Sequence, residues 1–158
     1  MNLSITPYHP AASTIWCSPS ASNDSVHPKG SRNDEDETTD QVRVLIVEDE
    51  ILVAIDLRAM LEANACTVVG IAASADQAIR MADRERPDLI LMDVRLEGAR
   101  DGVDAAIEIR ERFDIPSLFI TANADARIQE RAQAARPFGF IVKPLSETML
   151  LRALRTLD

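Results

Sequence analysis

From Val42 onward, short runs of β-branched and other apolar residues alternate with stretches whose apolar positions recur every three or four residues. Five runs read as strands: Val42–Glu48, Thr67–Ala72, Asp88–Val94, Ser117–Ala122 and Gly139–Val142. The stretches between and after them read as helices. Val53, Leu57 and Leu61 fall at i, i+4, i+8, and Val103, Ala106 and Ile107 at i, i+3, i+4. Leu150, Leu154 and Leu157 fall at i, i+4, i+7, which carries the last helix to Leu157, one residue before the end of the sequence. Ser74 and Ser146 stand where N-caps are expected.

Five strands alternating with five helices predict an α/β fold whose parallel sheet is covered on both faces. Right-handed crossovers leave few arrangements, and the flavodoxin-like, doubly wound, five-stranded order 2-1-3-4-5 suits this length. Such a sheet binds ligands beyond the carboxyl ends of its strands, at the switch point between strands 1 and 3. That rule says where chemistry is to be sought.

Residues 1–41 differ in kind. They hold seven Ser, four Thr, four Pro and three Asn, show no apolar periodicity, and end in the acidic run Asp34-Glu35-Asp36-Glu37. Such a segment buries too little surface to offset its ordering entropy, so a disordered tail is expected before a domain at 42–158. It lacks the basic start and unbroken apolar stretch of a signal peptide. It also holds both histidines (His9, His27), Trp16 and Tyr8. Imidazole catalysis and imidazole metal ligation are therefore excluded from the domain. The tail takes six of the 26 acids and two of the 17 bases, leaving the domain 20 acids and 15 bases. Fourteen of those bases are Arg, and the single Lys is Lys143.

The net charge of −9 gives no general attraction for nucleic acid phosphates. No apolar run approaches the ~20 residues that span a bilayer. Two cysteines, Cys17 and Cys66, make neither a disulfide framework nor a zinc cluster, which suits a reducing cytoplasm.

The predicted strand ends carry the chemistry. Strand 1 runs into Glu48-Asp49-Glu50, strand 3 ends in Asp93, strand 4 in Thr121, and strand 5 leads into Lys143-Pro144. A nucleotide or flavin site would place glycines or hydroxyls after strand 1, with free amides for phosphate. Carboxylates there repel phosphate and instead suit a hard cation such as Mg²⁺, which takes oxygen ligands. Asp93 is then placed to act as nucleophile toward a phosphoryl group, with the metal and Lys143 neutralising charge on its oxygens and the Thr121 hydroxyl donating to it. Each residue alone has a plainer reading. Asp93 would serve as a turn residue or cap, the acidic run as helix-dipole compensation, Thr121 as an ordinary strand residue and Lys143 as a surface lysine. What favours the chemical reading is four compatible residues at the ends of four strands.

These residues resemble the receiver domain of two-component response regulators. The matching stretches are Val44 to Glu50, Pro87 to Asp93, Asp101-Gly102, Phe119 to Ala122 and Gly139 to Pro144. The resemblance covers 42–158 and implies that Asp93 is the phosphoacceptor. It makes Glu48 and Asp49 the acidic pocket, with Asp49 a direct Mg²⁺ ligand beside Asp93 and the Arg95 backbone carbonyl. It implies that Thr121 and Lys143 contact the phosphoryl group, that Phe140 occupies the aromatic switch position, and that the Lys143–Pro144 bond is cis. By the same resemblance, Arg95 and Asn123 stand at the two variable positions that tune phosphoryl lifetime in similar proteins.

The chain departs from the family pattern in two places. The run from Asp93 to Asp101 is longer than usual and lacks Pro, so this loop is expected to bulge, and Phe140 replaces a frequent Tyr. The resemblance implies a switch that assists its own phosphotransfer and dephosphorylation rather than an enzyme. Its phosphoryl donor would be a histidine kinase or phosphotransfer protein. An unknown downstream protein would bind the face of the fourth helix, fifth strand and fifth helix; homodimerisation through the last two helices stays open. With the last helix reaching Leu157, a stand-alone domain without a C-terminal output domain is expected. A receiver-like adaptor that is never phosphorylated would show loss of an acidic-pocket residue, Thr121 or Lys143, and none is lost. A phosphoester hydrolase would need a general acid where Arg95 stands.

Overall fold

The computed structural model describes residues 41–123 and 125–156. The tail reading for 1–40 and the predicted helix position Leu157 lie outside the described residues. The elements follow in the order β1 (Arg43–Val47), α1 (Ile51–Ala63), β2 (Thr67–Ala72), α2 (Ala75–Glu85), β3 (Leu89–Asp93), α3 (Gly102–Phe113), β4 (Ser117–Thr121), α4 (Ala126–Ala132), β5 (Gly139–Val142) and α5 (Glu147–Leu154), with a 3-10 turn at Gln133–Ala135 after α4. The five strands are parallel in the order β2-β1-β3-β4-β5, as the alternation predicts. One expectation is corrected: α5 stops at Leu154 rather than running on to Leu157. Its last turn is fixed by the burial of Leu150 and by the half-buried Leu151, Ala153 and Leu154, and Arg155 and Thr156 beyond it are exposed.

The two-residue period of the strands sorts their side chains into two cores. Val44, Ile46, Leu89, Leu91, Leu118, Ile120 and Ile141 face α1 and α5. Leu45, Val47, Ile90, Met92 and Phe119 face α2, α3, Ala132 at the end of α4 and Ala135 in the turn after it. β3 and β4 are buried along their whole length, which explains their unbroken apolar runs. Ser74 and Ser146 cap α2 and α5, accepting from the amides of Gln77 and Met149.

Strand register is what brings the polar ends together. Val47 lies opposite Met92, so Glu48 comes level with Asp93, and Asp93 itself pairs with Ile120. Thr121 pairs with Val142, and the Lys143 amide donates to the Thr121 carbonyl at 2.8 Å, extending the ladder by one residue. Neighbouring strands lie about 4.8 Å apart, so Asp93 and Thr121 at the ends of β3 and β4 and Glu48 and Lys143 one step past β1 and β5 fall at one rim of the sheet.

Candidate functional site

Glu48, Asp49 and Asp93 each offer a carboxylate oxygen, and these three oxygens lie within 4.8 Å of one another. Glu48 and Asp93 are buried and Asp49 is the most exposed of the three. Glu50, the third acid of the run, does not join them. It occupies the N-cap position of α1 without a side-chain cap bond, and its amide donates to Glu48 Oε1 at 3.1 Å.

Lys143 enters from the end of β5. Its Nζ donates to Asp93 Oδ2 at 2.9 Å and to Glu48 Oε2 at 3.0 Å. Burial pushes the Glu48 carboxyl above the ordinary range, against the pull of the Lys143 hydrogen bond. Burial alone would lower the Lys143 ammonium; its bonds to Asp93 and Glu48 overcome this and hold it above the usual lysine value. Lys143 is therefore a fixed positive charge across the neutral range. Its –NH₃⁺ offsets the crowding of the carboxylates around it.

The segment after Asp93 folds back over the acids. The Arg95 amide donates to Asp93 Oδ1 at 3.0 Å, and the Glu97 amide donates to Asp49 Oδ2 at 3.2 Å. Gly98 then turns at a φ of 125°, a region that favours glycine. The expected bulge is thus a loop whose backbone grips two of the three carboxylates. The Glu97 contact was not legible in the sequence, because a main-chain donor carries no residue signature. The side chain of Arg95 is exposed.

Gly102 is required for a different reason. A Cβ there would overlap the carbonyl of Asp93 and crowd Met92, so only glycine lets the start of α3 rest on the backbone of Asp93. Asp101 caps α3 in a reciprocal capping box with Asp104. The pair Asp101-Gly102 was the sequence signal for this junction.

Thr121 is buried at the end of β4, and its hydroxyl is engaged locally. It donates to the Asn123 carbonyl at 2.9 Å and accepts from the Asn123 amide at 3.2 Å. Phe140 stacks on Phe119 with ring centroids 5.2 Å apart and packs against the core shared with α3 and α4. The Lys143–Pro144 peptide bond is cis. The structure thus brings together Glu48, Asp49, Asp93 and Lys143, and places Thr121 on the adjacent strand end with its hydroxyl turned toward Asn123.

Such a set of hard oxygen donors suits a divalent cation of the Mg²⁺ type, with neither sulfur nor imidazole among them. Residues 44–155 match the model of the response regulator receiver domain. The chain belongs to that family. Receiver domains are signalling modules of two-component systems and bind Mg²⁺ at an acidic site. This one is 39% identical over 112 residues to the transcriptional regulatory protein PdtaR of Mycobacterium tuberculosis, a match covering 71% of the chain and 54% of PdtaR. The chain thus spans about half the length of that curated relative. Among solved structures, it resembles the signal receiver domain of a modulated diguanylate cyclase from Desulfovibrio desulfuricans, with a TM-score of 0.70 and 37% identity over 74% of this chain and 93% of that one. It also resembles the receiver domain of a sensor histidine kinase from Pseudomonas aeruginosa, whose structure has magnesium coordinated in the active site cleft, with a TM-score of 0.65 and 33% identity over 74% and 98% of the two chains. Among the described residues of this receiver domain, no helix is long and apolar enough to cross a membrane.

Proposed function

We propose that Asp93 accepts a phosphoryl group from the phosphohistidine of a histidine kinase or phosphotransfer protein in a Mg²⁺-dependent step. The resulting aspartyl phosphate changes which proteins the domain binds. The observation that carries this reading is the Lys143 ammonium bonded at once to Asp93 and Glu48, with the Asp49 carboxylate beside them. A purely structural ion pair would not need a third carboxylate, Asp49, crowded beside the two that Lys143 bridges.

In the transfer, an Asp93 carboxylate oxygen attacks phosphorus as the bond from phosphorus to the histidine nitrogen breaks, and the leaving imidazole takes up a proton. Asp49 and Asp93, supported by Glu48 and the Arg95 carbonyl, would hold the Mg²⁺, which supplies charge neutralisation on the phosphoryl oxygens. The Arg95 amide fixes the rotation of the Asp93 carboxylate through Oδ1. Lys143 shifts its contact from Asp93 to a phosphoryl oxygen as a compact point charge. Thr121 gives up its Asn123 bonds and turns its hydroxyl to the phosphoryl group; Phe140 repacks, and the α4–β5–α5 face alters for its downstream partner.

A protein donor fits the surroundings. Ile51, Leu52 and Ile55 at the start of α1 are 60%, 69% and 50% exposed, an apolar surface beside the acids on which a partner can seat. The test uses beryllofluoride, a phosphoryl mimic, with and without Mg²⁺. Amide shifts of Thr121 and Phe140 are expected to move only when both are present and to stay still in Asp93→Asn. Equal shifts in that variant would overturn the assignment.

A further inference from the structure

Polar contacts tie the start of α3 to the strand end that carries Asp93, and others lie between the end of β4 and the start of α4. At one end, α3 is seated on the Asp93 carbonyl by Gly102, whose amide also donates to the Val94 carbonyl at 3.0 Å. Asp101 Oδ1 caps that helix by accepting from the Asp104 amide at 3.0 Å. At the other end, Thr121 is tied to Asn123, and Asp125 caps α4, accepting from the Ile128 amide at 2.9 Å. One side chain joins the two ends. Arg131, in the last turn of α4, donates from Nη2 to Asp101 Oδ1 at 2.7 Å and to Asp104 Oδ1 at 3.0 Å.

We infer that Arg131 is a positioning residue whose grip on Asp101 and Asp104 holds α4 in the arrangement of the unphosphorylated domain and sets how readily phosphorylation shifts it. The inference rests on the reading of Asp93 as phosphoacceptor, and adds the restraint against which that switch works.

Packing explains why one ion-pair cluster matters here. Ala132 is the single fully buried residue of α4, and Ile128 is half-buried; Ala126, Arg127, Gln129, Glu130 and Arg131 are exposed. A short helix with so little apolar anchorage belongs to the part of a fold that shifts at low cost, so a polar clamp takes a larger share in placing it. Both acids that Arg131 holds also form the α3 capping box, so any displacement of α4 acts on the helix that abuts Asp93. Burial pushes the Asp101 carboxyl up, but the Arg131 hydrogen bond and the Asp104 amide more than offset this and leave it below the usual range. The clamp is partly exposed, which limits its strength to that of a surface pair.

Breaking it with Arg131→Met leaves the capping box and every proposed ligand in place. With Mg²⁺ present, the beryllofluoride concentration that half-converts the Thr121 and Phe140 amide signals is expected to fall about two- to five-fold, the range such a pair supports. Without beryllofluoride, the same signals are expected to sit partway along the line joining the free and bound wild-type positions. Arg131→Lys, which keeps one charged contact, is expected to fall between the two. If wild type responds to beryllofluoride while Arg131→Met shows the wild-type midpoint and unmoved signals, the clamp is overturned and the phosphoacceptor reading stands. If wild type does not respond, that reading fails and takes the clamp with it.

Discussion

Lys143 is the residue on which the site depends most. It is the single lysine of the domain, and it touches two buried carboxylates 50 and 95 positions away in sequence. Removing it as Lys143→Met leaves Glu48 and Asp93 without their shared counter-charge. Breaking a buried pair from one side is costly, and partial exposure of the lysine moderates that cost, so a loss of about 1–3 kcal/mol is expected in urea unfolding. Asp93→Asn removes one of the crowded carboxylates instead and is expected to stay within about 1 kcal/mol of wild type, or to stabilise. The opposite ordering of the two variants would mean that the lysine is not what balances the acids. Lys143 and Asp93 were both legible as site residues, since a lone lysine after the last strand and an aspartate after an apolar run stand out. The direct bond from Lys143 to Glu48 was not, because it depends on strand register that only the folded sheet supplies.

Among the elements, caps were easier to read than tertiary clamps. Ser74 and Ser146 announced α2 and α5 by residue type and position, and both accept the expected backbone bonds. The end of α5 was misplaced because a leucine period in the sequence does not register the turn that Arg155 and Thr156 form after Leu154. The Arg131 contact with Asp101 joins residues 30 apart on two helices, a pairing that no local pattern encodes. Its pH dependence follows from the lowered Asp101 carboxyl. A carboxylate whose folded pKa lies below its unfolded value contributes stability above the unfolded value, near 3.8, and loses it as pH falls through the folded one. Asp101→Asn keeps a good cap but removes the charge. Its deficit relative to wild type, expected to be at most about 1 kcal/mol for so exposed a pair, should therefore be full at neutral pH and shrink below about pH 3.8. Denaturant midpoints of the two proteins across that range check the sign; a deficit that grows on acidification would contradict it.

At the scale of the whole molecule, alternation of apolar runs made the parallel, doubly covered sheet legible, and right-handed crossovers left few strand orders, of which 2-1-3-4-5 suits this length. The same topology explains why the acids, the threonine and the lysine meet at one rim although they come from distant parts of the chain. What the rim does with a phosphoryl group is measured most directly by intact mass after incubation with acetyl phosphate, with Mg²⁺ or with a chelator, for wild type and Asp93→Asn. Wild type is expected to gain a single phosphoryl increment only with Mg²⁺, and Asp93→Asn to gain none. An increment that survives chelation, or that appears on Asp93→Asn, would contradict the account.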